Sequence, residues 1–218
     1  MATPSVVSFN TYDGSISAFQ YLYPTLKAEG WRGVAFIIPE LAGAIATKMS
    51  EAQLRVLANW GWDISYHGNS AHNLPLLSDE DLHREVYGKR DWLVRHGFPR
   101  GARHAAPYLF HVHDREYAAL VAAGFESIIA DTDPFTIVPN ASYTLVRLNA
   151  CDATPVGDVT TAITTASTTP GTILCLESHG FVVSGAAGLE TSQARLDIMV
   201  AAIKATTLEV VTFSDLME

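Results

Sequence analysis

A chain of 218 residues that is 48% hydrophobic and only 17% charged can bury a large core, which excludes a disordered protein and favours one folded domain over residues 1–218. Fourteen Lys and Arg against 23 Asp and Glu leave a net charge of -9, so nucleic acid and anionic lipid are repelled and neither is an expected partner. Met1-Ala-Thr-Pro-Ser5 has no basic or apolar export region, and no apolar run of about 18 residues would insert in a membrane. The expectation is a soluble chain, cytoplasmic as synthesised. Two cysteines, Cys151 and Cys175, make no disulfide framework.

Strand-like and helix-like stretches alternate from the start. Residues 6–9 read as a short strand and 16–29 as an amphipathic helix closed by Gly30. The near-continuous apolar run 33–39 has the character of a strand covered on both faces. Ser50-Glu-Ala-Gln53 is a capping box opening a helix to about Trp60, and strand 62–66 follows. Ser78 starts a second capped helix with Leu82, Val86, Trp92 and Leu93 inward. A strand near 102–106 precedes a helix capped by Asp114 and ended by Gly124. Strands at 127–130 and 143–148, a Thr-rich helix at 159–168, a strand at 172–176, a helix at 191–205 and a strand at 208–212 complete the chain.

About seven β/α units without linker or repeat argue for an α/β fold, a barrel of parallel strands, with an open doubly wound sheet as the runner-up. The polar residues decide between them. Asp13, then His67 and His72, then His104 with Pro107 and Tyr108, then His179 each follow a different strand, and a parallel barrel builds its site from several strand ends. An open sheet gathers its site at one switch point. No glycine-rich phosphate loop follows the first strand, so no nucleotide cofactor is expected.

On these segments the chain resembles the NodB-homology polysaccharide deacetylases, metal-dependent carbohydrate esterases with a distorted (β/α)7 barrel. The family's opening Thr-Phe-Asp-Asp-Gly motif has its counterpart in Asn10-Thr-Tyr-Asp-Gly14, and its His-Ser/Thr-x-x-His motif in His67 and His72. The Arg-x-Pro-Tyr motif aligns with Ala105-Ala-Pro-Tyr108, the fourth motif with Ala130-Asp-Thr-Asp133, and Leu-x-x-His with Leu176-Glu-Ser-His179. The resemblance implies a divalent metal, Zn²⁺ first, held by Asp13, His67 and His72, with His179 as general acid and Asp131 or Asp133 orienting it. It implies a polysaccharide or oligosaccharide substrate, contacted by His104, Pro107 and Tyr108, from which acetyl groups are hydrolysed at C–N or ester bonds.

Three departures accompany the likeness. The Asp that serves relatives as general base is Tyr12, and the Arg that pairs with it is Ala105. Losing both is self-consistent, since either charge alone would be buried uncompensated. Replacement bases are Tyr12 itself, whose phenol would have to fall several units from about 10, His104, the surroundings of Arg103, or Asp13. The two ligand histidines are also five residues apart instead of four, about 140° around a regular helix, so a loop must bring them together.

Blander readings stand beside these. Asp13-Gly14 is a common turn dipeptide, His111 and His113 read as an exposed helix approach, and His83 and His96 as surface residues. Trp31, Trp60, Trp62 and Trp92 have the spacing of core aromatics. Two further functions stay open: a catalytically silent, glycan-binding relative, and an amidohydrolase of the same barrel type acting on a small amide. An extracellular glycan would require release by lysis or incorporation into a virion.

Overall fold

The computed structural model describes residues 3–68, 73–130, 136–137 and 143–218. Its chain order is β1 (Val6–Thr11), α1 (Tyr23–Ala28), β2 (Val34–Ile37), α2 (Glu51–Asn59), β3 (Asp63–Tyr66), α3 (Asp79–Arg95), β4 (His104–Ala105), α4 (Asp114–Ala123), β5 (Ser127–Ile128) and β6 (Thr136–Ile137). β7 (Thr144–Asn149), α5 (Val156–Thr168), β8 (Thr172–Ser178), β9 (Gly180–Val182), β10 (Glu190–Ser192), α6 (Gln193–Lys204) and β11 (Glu209–Val210) complete it. Strands run in the order β6-β5-β4-β3-β2-β1-β8-β7, with β11 added beside the start of β1. All pairs in this sheet are parallel except β5 with β6. The seven parallel strands β1–β5, β7 and β8, with the short parallel β11 beside β1, curl into the distorted (β/α)7 barrel.

Residue alternation explains the curl and places the site. Val7 and Phe9 of β1, Ala35 and Ile37 of β2, Ile64 of β3, and Leu174 and Leu176 of β8 point outward. There they bury the apolar faces of the helices, Leu54 and Leu57 of α2, Leu82, Val86 and Leu93 of α3, and Leu196, Met199 and Ile203 of α6 among them. The alternate residues fill the interior: Val6, Tyr12, Val34, Phe36, Ile173 and Cys175 form a second cluster with Phe213. Gly101 shows how tightly the interior closes. A Cβ there would meet the Ile64 carbonyl oxygen at 2.1 Å, so only glycine lets this segment cross β3.

Local signals fared well where they rest on backbone chemistry. The capping box of α2 is formed, Gln53 N–H donating to Ser50 Oγ and Ser50 N–H to Gln53 Oε1. Gly124 ends α4 with φ +96°. The cap of α4 is His113 rather than Asp114: Glu116 reaches back to accept from the His113 N–H at 3.0 Å, which places Asp114 in the first turn. The 16–29 helix opens with a wide π-turn at Ala18–Leu22 before α1. The β9–β10 pair, which closes over the end of β8, was not expected, because two three-residue strands separated by Gly185 and Gly188 carry no periodicity to read.

Candidate active site

β1, β3 and β8 lead at their C-terminal ends into Asp13, His67 and His179, and all three line one cavity of about 560 Å³. Asp13 takes φ +60° and Gly14 φ +63°, a turn that carries the Asp13 carboxylate out over the barrel mouth. The turn is fixed from both sides: Tyr12 N–H donates to the Ser178 carbonyl at 3.1 Å, and Met49 N–H to the Gly14 carbonyl at 2.8 Å. A backbone bridge between Ser15 and Lys48 brings Lys48 into the cavity wall.

His67 is buried, and its Nδ1 lies 2.5 Å from the Ala106 carbonyl oxygen. A carbonyl only accepts, so Nδ1 carries the proton and the Nε2 lone pair is left facing Asp13 Oδ1 at 3.6 Å. Burial pushes the His67 pKa down to about 4, with the Ala106 hydrogen bond and Asp13 pulling the other way. The ring is therefore neutral at neutral pH. Donor atoms each about 2.0–2.2 Å from one Zn²⁺ lie up to about 4 Å apart, so the 3.6 Å spacing fits a shared ion. A neutral imidazole held by its far nitrogen and a carboxylate are a sound donor pair for Zn²⁺. The third expected ligand, His72, lies outside the described residues, and among the described residues no group of three such donors converges.

His179 follows β8 and faces the same cavity. Burial lowers its pKa, while Asp13 and Glu177 raise it, so the ring is mostly neutral. Its Nδ1 has no hydrogen-bond partner among the described residues. Asp131 and Asp133, expected to orient it, lie outside those residues.

Tyr12 is not arranged as a base. Its ring is fully buried, stacked on Phe36 at 5.3 Å and on His179 at 5.1 Å, and burial together with the neighbouring Glu177 drives its pKa well above the usual phenol value. The hydroxyl instead donates to Glu177 Oε1 at 2.7 Å. The same carboxylate receives Arg147 Nε at 2.7 Å and Nη2 at 3.0 Å, a two-pronged ion pair. Arg147 also lies 4.0 Å above the Phe110 ring and donates to the Ala130 carbonyl at 3.4 Å, tying β7 to the end of β5.

His104 does not reach the cavity. It sits at the opposite end of the barrel with no exposed surface, its ring nitrogens bonded to Ser127 Oγ and Ser214 Oγ at 2.8 Å each, and with Asp63 at 3.5 Å. The reason is strand length: β4 is only two residues long, so His104 opens the strand instead of ending it. Arg103 is likewise spent on Glu126 at the surface. Burial, then the Arg103 charge, lowers the His104 pKa to about 3, far below its unfolded value near 6.5. A depressed folded pKa stabilises the fold above pH 6.5 and loses that contribution as pH falls from 6.5 towards 3, by about 1.4 kcal/mol per unit. Urea unfolding at pH 7 and pH 4.5 should show this acid loss, and His104→Gln, which keeps hydrogen-bonding capacity but does not titrate, should remove a share of it comparable with that of His67, whose pKa is also depressed by burial.

Tyr108 lines the cavity, and Pro107, next to it in the chain, is buried. Leu109 and Phe110 follow with φ +63° and +59°, two consecutive strained residues that turn Phe110 towards the Tyr12 ring. Among the described residues no tryptophan lines the cavity, and its aromatic wall is Tyr108 and Phe110. Sequence reasoning passed over Lys48, Arg147, Asn149 and Glu177, which also line it. For Glu177 the signal was present, since it lies near the end of β8, two residues before His179.

The polysaccharide deacetylase family profile matches residues 2–127. Among solved structures, the Bc1960 peptidoglycan N-acetylglucosamine deacetylase superposes with TM-score 0.70 at 17% identity, over 99% of this chain and 89% of that one. The chitin deacetylase from Colletotrichum lindemuthianum gives TM-score 0.66 at 16% identity, over 98% and 87%. BA3943, a CE4 family pseudoenzyme from Bacillus anthracis, gives 0.70 at 12% identity, over 100% and 67%. No curated protein matches the sequence. At these identities the structural likeness speaks for the fold, and the profile, which spans more than half the chain, speaks for descent: this chain belongs to the polysaccharide deacetylase family.

Proposed function

We propose that the protein is a metal-dependent hydrolase that removes N- or O-linked acetyl groups from a polysaccharide or oligosaccharide. Asp13, His67 and His72 hold the ion, and His179 protonates the departing amine or alcohol. The observation that carries this reading is the 3.6 Å approach of Asp13 Oδ1 to an Nε2 lone pair of His67, inside a cavity that His179 shares. A divalent ion there supplies a water of lowered pKa and polarises the acyl oxygen. The chain's own residues do the rest. The Ala106 carbonyl fixes the His67 tautomer, Tyr108 and Phe110 offer aromatic faces to an acyl group or sugar ring, and His179, neutral at rest, gives up a proton only after one has reached it.

The test is acetate release from acetylated chitooligosaccharide and acetylxylan by protein purified without chelator. Release that stops on chelation and returns with Zn²⁺ supports the reading. No release with either substrate, glycan binding retained, supports a silent glycan-binding relative instead. That second reading draws on the buried phenol of Tyr12 and on Ala105, which leave the usual base position without a carboxylate.

A further inference from the structure

Acyl hydrolysis needs an acceptor for the proton of the attacking water as well as a donor for the leaving group. Tyr12 is committed as a donor, and no charge sits at Ala105. Among the described residues lining the cavity, the carboxylates are Asp13 and Glu177, and Asp13 is assigned to the ion.

Glu177 is held as a proton acceptor would be. Its Oε1 takes two hydrogen bonds, from Tyr12 and from Arg147 Nε, whereas Oε2 takes one, from Arg147 Nη2, and keeps a lone pair. The side chain is only 5% exposed, and burying a carboxylate is costly unless a partner or a function offsets it. Its partner is itself fixed, by the Phe110 ring and the Ala130 carbonyl. Glu177, near the end of β8, and His179, just beyond that end, both line the cavity, with Tyr12 against both.

We propose that Glu177, paired with Arg147, is the proton acceptor of this site, a catalytic carboxylate supplied by β8 in place of one on β1; this rests on the hydrolase reading above. The water's O–H bond breaks, its proton goes to Glu177 Oε2, and its oxygen lone pair bonds the acyl carbon as the carbonyl π pair moves onto oxygen. Collapse reforms the carbonyl and expels the amine or alkoxide with the electrons of the broken C–N or C–O bond. The proton on Glu177 passes through His179 to that leaving group. One water is consumed, acetate is released, and both side chains return to their starting states.

The experiment compares wild type with Glu177→Gln, both metal-loaded, on the same two acetylated glycans, with metal content and melting temperature measured alongside. The expected result is a kcat lower by about 10²–10⁴-fold, KM within about threefold and metal content unchanged. A kcat within about tenfold of wild type, or a loss that merely tracks lost metal, overturns the role of Glu177 and leaves the hydrolase reading standing. No acetate release by wild type overturns both. If Glu177→Gln does not fold, Glu177→Asp keeps the charge but withdraws it by one methylene. A drop of at least about tenfold in its kcat with metal retained supports the proposal, and a smaller drop overturns it.

Discussion

His67→Ala should purify with less than about a tenth of the wild-type metal and lose acetate release by on the order of 10³-fold, the several kcal/mol that a bound cation contributes to such a transition state. The imidazole is buried beside Asp13, so its loss removes the donor that faces the Asp13 carboxylate. The variant also leaves the Ala106 carbonyl without its donor, a cost of about 1–3 kcal/mol, so its melting temperature should fall by several degrees while the fold persists. Elemental analysis and calorimetry on the same preparation separate the two effects. Unchanged metal content would remove His67 from the ligand set.

The largest effect on stability should come from Arg147→Met. Glu177 would then keep its charge at 5% side-chain exposure with the Tyr12 hydroxyl as its remaining donor. Removing one partner of a buried pair costs about 3–5 kcal/mol, and because Arg147 itself is 25% exposed the lower end applies. For a chain of this size that lowers the melting temperature by about 10 °C. The double variant Arg147→Met with Glu177→Gln should recover at least half of the loss, since the uncompensated charge is gone. A single-variant loss under about 1 kcal/mol would show that water, not Arg147, satisfies the carboxylate.

What could be read from the sequence follows a physical divide. Strands β2 and β8 were legible because both their faces are buried, which writes near-continuous apolar runs, and β1 and β3 because apolar residues still recur through them around buried Ser8, Asn10, Asp63 and Ser65. The α2 and α3 caps were legible because Ser50 and Ser78 act on their own helices. Asp13 and His67 were found through their place after such strands, and the structure brings them together. His104 was misplaced because a two-residue strand has no readable end, so a residue at its start was taken as one at its finish. Arg147 and Glu177 were missed for a different reason. Their meaning lies in a contact across 30 residues between neighbouring strands, which no local pattern encodes. Tyr12 was recognised as a departure, yet only the packing of Phe36, His179 and Glu177 around it shows a buried donor rather than a base. His72, Asp131 and Asp133 lie outside the described residues, and their roles rest on the family resemblance.

Crystals of the zinc-loaded protein, with anomalous data collected on both sides of the zinc edge, would locate the ion. One peak is expected, within about 2.0–2.2 Å of an Asp13 carboxylate oxygen, His67 Nε2 and a His72 ring nitrogen, on the side of the cavity that faces His179. A zinc bound elsewhere, or one that Asp13 and His67 do not share, would contradict that expectation.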